Sequence, residues 1–438
     1  MPELTRFRKN ARRIRNIGDR GSLNVLPLEV LSALQLCATS DPLFPNLGTL
    51  DLWTASVEFI PFIPLFLSRR TTVIKIGSFE SKPSKEAIAS IITTFPALCP
   101  NLREIDLPRL PRDPVITAAV SGMLLASNRG TLRSFHVDSP LTEEAREAIY
   151  NLPDLCGLSV VIEKDTLLPP LVFPNVVDLI IEWDHDGDWL RVLHRAELGK
   201  LETATFHSGS EQLGNFLETF QRVALAASAQ NTLSEFYFHT SRSWNPNYPS
   251  LHPFTQLTSL VIESSCSDGC SSTVDDDVIV DLARTMPKLE NLALCDDPCD
   301  RIRTGVTAKG LVALAHHCPD LYSLQIHFQV ASLSTPPANG GITSNGRPTA
   351  LRRDCALTGF EAGETPMPEE SVLVVAMTLA RIFPRINYIH YADENWEKVM
   401  DAICLSREIV DCSSEKHSFT PPTSFNNAPS PRSRTQGR

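Results

Sequence analysis

No stretch of this 438-residue chain approaches the ~20 consecutive apolar residues of a membrane-spanning helix, so no membrane-embedded role is expected. The first residues, MPELTRFRKNARRIRNIG, are basic with no apolar core behind them. No secretory leader is read there, and the chain is expected in the cytoplasm or nucleus. Phosphate-cradling glycine loops are missing too: neither a P-loop nor a dinucleotide fingerprint occurs. His207, Ser208, Gly209, Ser210 and Glu211 lack the strand–Gly-x-Ser-x-Gly–helix setting of an activated serine. Asp184, His185, Asp186, Gly187 and Asp188 open like a calcium loop but have no bidentate glutamate at the right distance. With no converging acid, base and nucleophile, no enzyme and no cofactor are expected.

The eleven cysteines form no regular pairs, and without a leader the redox compartment argues against a disulfide framework. Cys99 and Cys318 precede a Pro-x-Leu turn at equivalent places, where a small buried thiol suits the packing. Cys266, Cys270, Cys295 and Cys299 form two C-x₃-C pairs that could hold zinc tetrahedrally. The usual structural knuckle is C-x₂-C and Cys295 falls at a strand position, so they read as ordinary loop cysteines and no metal site is expected.

What the chain does have is one short phrase, written eleven or twelve times: a leucine-type residue, two variable residues, an apolar residue, a variable one and a third apolar one. PNLGTLDL (Leu47, Leu50, Leu52), PNLREIDL (Leu102, Ile105, Leu107), PKLENLAL (Leu289, Leu292, Leu294) and PDLYSLQI (Leu321, Leu324, Ile326) are the clearest copies. Others begin at Leu132, Leu155, Val176, Leu201, Leu233, Leu257, Leu357 and Ile386, with a fainter one around Ile74 and Ile76. Spacing runs from 21 residues (Leu155 to Val176) to 36 (Leu321 to Leu357), the range of long, helix-containing leucine-rich repeats with insertions. Alternation along a strand turns the apolar residues inward and the variable ones outward. Between phrases the period becomes helical, over 85–92, 276–283, 309–315 and 371–380. Asp275 or Thr307 would cap a helix, and Pro100, Pro287, Pro319 and Pro384 follow the helices and halt them.

The alternation predicts an α/β fold, a leucine-rich-repeat solenoid with a curved parallel sheet on the concave face and helices on the convex face. Residues 1–46 read as an N-terminal basic helical cap and 47–410 as the array. An exposed insertion rich in Pro, Gly and Ser is read at 331–350, and 411–438 as a disordered tail. Ser430 before Pro431 offers a proline-directed phosphorylation site in that tail. The net charge of −11, with acidic clusters at 182–188, 275–277 and 296–300, disfavours nucleic acid and anionic membrane as partners. Arg6, Arg8, Lys9, Arg12, Arg13 and Arg15 are the exception and read as a solvated helix face.

Residues 304–329, TGVTAKGLVALAHHCPDLYSLQIHFQ, resemble the repeats of F-box proteins, in particular the large set of mushroom-forming fungi. DLARTMPKLENLAL (281–294), IFPRINYI (382–389) followed by NWEKV (395–399), and LFPNLGTLDLW (43–53) are similar in the same way. The resemblance implies the substrate-recognition part of a cullin-based ubiquitin ligase, with the repeats holding the target and an F-box holding the Skp adaptor. Leu26, Pro27 and Glu29 mimic the opening of an F-box, but Leu47 follows too soon to leave room for its remaining helices. Skp adaptor and cullin are therefore expected as partners only if an F-box lies upstream; a stand-alone repeat scaffold is the alternative.

Register alone assigns the face a target would meet. Its outward positions include Asp51, Trp53, Glu104, Asp106, His136, Asp178, Glu182, His207, Glu235, Tyr237, His239, His327, Tyr388 and His390. Five of the eleven histidines fall on this line and carboxylates dominate its earlier half. Exposed strand positions favour such residues anyway. As a partner site, the same strip would use its aromatic residues as anchors and its carboxylates to select a basic segment.

Overall fold

The computed structural model describes residues 2–19, 27–37, 42–79, 83–107, 110–127, 130–162, 175–183, 198–209, 213, 215–241, 246–264, 274–294, 305–333, 355–363, 365, 367–391 and 394–416. Each phrase becomes a strand, and all strands join one parallel sheet in sequence order. They are β1 (Asn16–Asp19), β2 (Thr49–Ala55), β3 (Val73–Phe79), β4 (Glu104–Leu107), β5 (Ser134–Val137), β6 (Gly157–Ile162) and β7 (Asp178–Trp183). There follow β8 (Thr203–Ser208), β9 (Glu235–Thr240), β10 (Ser259–Ser264), β11 (Asn291–Leu294), β12 (Ser323–Ile326), β13 (Gly359–Gly363) and β14 (Tyr388–Tyr391). A chain that places each strand beside the last must return after every one. After α1 (Pro2–Ala11), which precedes β1, the returns run through α2 (Leu28–Cys37), α3 (Ile63–Phe66), α4 (Lys85–Leu98), α5 (Pro114–Ala126) and α6 (Glu143–Tyr150). The later returns include α7 (Phe216–Ala226), α8 (Asp276–Thr285), α9 (Ala308–His317), α10 (Val330–Leu333) and α11 (Val372–Ile382), and α12 (Asn395–Lys416) follows the last strand. The result is the leucine-rich-repeat solenoid read from the phrase, sheet on one face and helices on the other. None of these helices is long and apolar enough to cross a membrane.

The core is a set of ladders. Leu50, Ile74, Ile105, Phe135 and Leu158 stand side by side across successive strands. The same row continues from Leu179 to Ile389, every member almost wholly buried. Each rung contributes about 1.5–3 kcal/mol of apolar burial, and only through its neighbours. Three aromatic clusters thicken the core. Phe7, Phe44 and Phe66 hold α1 to the array; Trp183, Phe206, Phe216, Phe220, Phe236, Phe238 and Phe254 fill its middle. Phe328, Phe360 and Trp396 close the C-terminal end, where the indole Nε1 donates to the Thr365 carbonyl at 2.9 Å.

The helices expected from the period are present, and Asp275 and Thr307 cap α8 and α9. Asp276 does something the sequence did not show: its carboxylate accepts from the Thr307 hydroxyl and from the Thr307 and Gly310 amides of the next repeat, at 2.6–2.9 Å. A side chain on Gly310 would collide with that carboxylate at 2.8 Å. Cys99 and Cys318 are buried where α4 and α9 end, and burial pushes both thiols up to about 12, so neither is a nucleophile at neutral pH. Arg6, Arg8, Lys9, Arg12, Arg13 and Arg15 are exposed.

Elements of the structure cut across three of the bounds read from the sequence. The N-terminal segment supplies not just a helix but also β1, paired along β2. The stretch read as insertion begins inside α10, whose Leu333 is fully buried, and α12 runs on to Lys416, past the boundary at 410. Residues 334–350, the 184–188 loop, Ser210, Glu211, the paired cysteines 266, 270, 295 and 299, and Ser430 lie outside the described residues.

Candidate partner-binding face

Alternation leaves one residue in two of each strand on the concave side. Burial follows it: β7 and β9 alternate half-buried and buried along their whole length. The outward strand positions carry the carboxylates Asp51, Glu104, Asp106, Asp178, Glu182, Glu235, Glu263 and Glu361. Lys75 is the one lysine, and no arginine shares these positions among the described residues. The residues singled out from the sequence are therefore brought to one surface, with two qualifications. His327 lies just beyond β12, its Nδ1 3.4 Å from the Thr365 hydroxyl; Trp53 is in β2, but its side chain is outside the described ones.

The N-terminal sector is a cross-strand row, Asp51, Lys75, Asp106 and His136, on β2 to β5. Lys75 pairs with Glu104, and that bond raises the lysine pKa. Burial raises Asp106 despite His136 and Lys75 nearby. His136 leans over β6 towards Asp178, Nε2 to Oδ2 3.5 Å. Gly157 makes that path possible, since a Cβ there would stand 2.8 Å from both His136 Nε2 and the Ser134 hydroxyl. Asp178 is also raised, first by burial and further by Glu235.

The central sector is a second row, Glu182, His207, His239 and Glu263, on the consecutive strands β7 to β10. The two imidazoles lie 6.0 Å apart, centroid to centroid. His239 Nδ1 is 3.2 Å from Glu263, and Tyr237 donates to Glu235 at 3.1 Å. Burial raises the Tyr237 phenol. No group of three or more His, Cys, Asp or Glu among the described residues could hold an ion. At the far end Tyr388 stacks on His390 at 6.4 Å, and His390 Nδ1 meets Glu361 at 3.0 Å.

His207 has solvent access, and partial desolvation lowers its pKa against the pull of Glu182. A folded-state pKa below the ordinary value of 6.5 means the unfolded chain protonates first. The contribution of His207 to stability is therefore full above pH 6.5 and is lost as pH falls through the folded value. The raised Asp106 and Asp178 act in the opposite sense, and only in the carboxylate range. Thermal melts of His207→Gln should lose less stability than wild type as pH drops below 6.5. Parallel curves would place the pH dependence elsewhere.

Sequence reasoning missed Lys75, Glu361 and Arg112, whose guanidinium reaches Glu182 from the loop after β4. Lys75 had a signal: its phrase fits if Thr71 takes the leading leucine position. Thr71 is fully buried and satisfies its hydroxyl on the Leu47 carbonyl at 3.0 Å.

No family model matches the chain, and no curated protein does. A chain of the solved TLR13–ssRNA13 complex is similar at 10% identity over 87% of this chain, with a TM-score of 0.28. This chain spans 59% of that one's length. A likeness of that size carries no argument about function.

Proposed function

We propose that this chain is a non-enzymatic, protein-binding repeat array that captures a basic segment of a partner protein on its concave face. The observation that carries this is the charge of that face: among the described residues, eight outward strand carboxylates, Asp51 to Glu361, stand against Lys75 on the strands and Arg112 reaching over from a loop. Such a field steers cationic segments and repels a phosphate backbone, so nucleic acid is not the expected ligand. Tyr237 and Tyr388 supply aromatic contact beside the charges, the pairing on which hot spots are built. Among the site residues, Asp51, Trp53, Glu104, Asp106, His136, Asp178, Glu182, His207, Glu235, Tyr237, His239, His327, Tyr388 and His390 form the assigned strip.

The resemblance over 304–329 supports a finer role, target recognition for a cullin-based ubiquitin ligase in the cytoplasm or nucleus. A stand-alone scaffold is the alternative. Co-purification of the Skp adaptor and cullin with the chain supports the first, and their absence beside a captured target supports the second.

The capture reading is tested by combining Tyr237→Ala with His239→Ala. Partner retention should fall about tenfold or more, since central aromatic truncations commonly cost over ~1–2 kcal/mol, while the melting temperature stays near wild type. Arg381→Ala on the outside of α11 serves as control. Loss from Arg381→Ala with none from the strip would put the site on the convex side.

A further inference from the structure

Arg112 is placed where a partner would be. It belongs to the short link between β4 and α5, whereas Glu182 is an outward residue of β7. Neighbouring strands are about 4.8 Å apart, so β4 and β7 stand roughly 14 Å apart, and the link and the arginine side chain together span β5 and β6. The link is fixed at its far end: Asp113 caps α5 by accepting from the Val115 amide at 2.9 Å and takes Lys85 at 2.9 Å. On β6, one of the two strands between them, Ser159 and Val161 are buried although alternation puts them on the open side of the sheet. Glu182 thus receives its arginine from a loop and not from a neighbouring strand, and an incoming segment would have to take that arginine's place.

We propose that Glu182 is the arginine-receiving position of the concave face, and that Arg112 is a tethered competitor which an arginine of the partner displaces. This rests on the reading of that face as the capture surface. The partner is accordingly an extended, arginine-bearing protein segment. A planar guanidinium can fork onto a carboxylate, as an ammonium cannot. From Glu182 the row runs on over His207 and His239 to Glu263, a carboxylate three strands away. A second arginine of the segment meets that carboxylate.

The pair is partly exposed, with side-chain accessibilities of 38% and 28%, so displacement has a modest effect. The test measures binding of the full chain to fluorescent decapeptides of alternating serine with arginine, lysine or glutamate, at low salt. Arg112→Ala should bind the arginine peptide about two- to fivefold more tightly than wild type, in line with the strength of partly exposed ion pairs. Glu182→Gln should weaken binding more in the Arg112→Ala background than in wild type, where Glu182 is already engaged. Arg112→Lys should fall between, and melting curves confirm that each variant is folded.

Equal or weaker binding by Arg112→Ala overturns the competitor assignment, as does a Glu182→Gln effect of the same size in both backgrounds. An equal gain for the lysine peptide overturns the preference for a guanidinium. Failure of every variant to bind either cationic peptide overturns this proposal together with the capture reading. Binding that needs Tyr237 and His239 but ignores Arg112 overturns this proposal alone.

Discussion

Leu292→Asp is expected to unfold the chain well beyond its own repeat, and Leu324→Asp to do the same. Both leucines are fully buried and stand side by side in the ladder, with Leu260 and Phe360 as the next rungs. A carboxylate placed there has no donor and costs several kcal/mol, more than the burial of one rung returns. In a solenoid that loss is transmitted, because each repeat holds its stability in the interfaces it shares. Amide exchange should therefore lose protection from β10 through β13 together, with a melting transition lowered by many degrees or split in two. Ser323→Asp, one residue before Leu324 and on the open side, is the control and should shift stability by about 0.5 kcal/mol or less. An unchanged melt for Leu292→Asp would show the inward register to be wrong.

The same register explains what the sequence revealed and what it withheld. Where all three apolar positions of the phrase are filled, as at Leu289, Leu292 and Leu294, the strand could be read directly. β1 could not, because its third position is Asp19, paired with Leu52, and an apolar pattern with a carboxylate in it looks like loop. Asp275, Asp276 and Asp277 misled in another way. As a cluster they read as negative surface; the first caps its own helix, as its place before the helical period suggested, but the second binds the next repeat and the third pairs with Lys309, which the composition did not show. Local composition shows charge; only the distance to the following repeat, about thirty residues on, shows what the charge holds. The concave residues were legible for the opposite reason. Their placement needs only strand alternation, whereas Arg112 reaches Glu182 through a loop conformation that no periodicity encodes.

Phe206→Ala should test how far the binding face depends on the core beneath it. Phe206 is fully buried and its ring lies 5.0 Å from Phe216, 5.4 Å from Phe220 and 5.8 Å from Phe236. Truncating such a ring typically costs about 3–5 kcal/mol, because the close neighbours cannot all collapse into the space. The next residue on β8 is His207, and Phe236 and Phe238 alternate with Tyr237 and His239 on β9. Inward aromatics therefore set the spacing of outward histidines. A melt should show the loss, and protection from amide exchange should fall first in β7 to β10. Phe206→Leu keeps most of the volume and should cost less than half as much. Partner capture should decline with Phe206→Ala at temperatures where the chain is still folded, because β7 to β9 lose the packing that fixes Glu182, His207 and His239 in one row. Undiminished capture by a folded Phe206→Ala protein would mean that the face is held by its backbone ladder alone, and that the aromatic cluster serves stability without shaping the site.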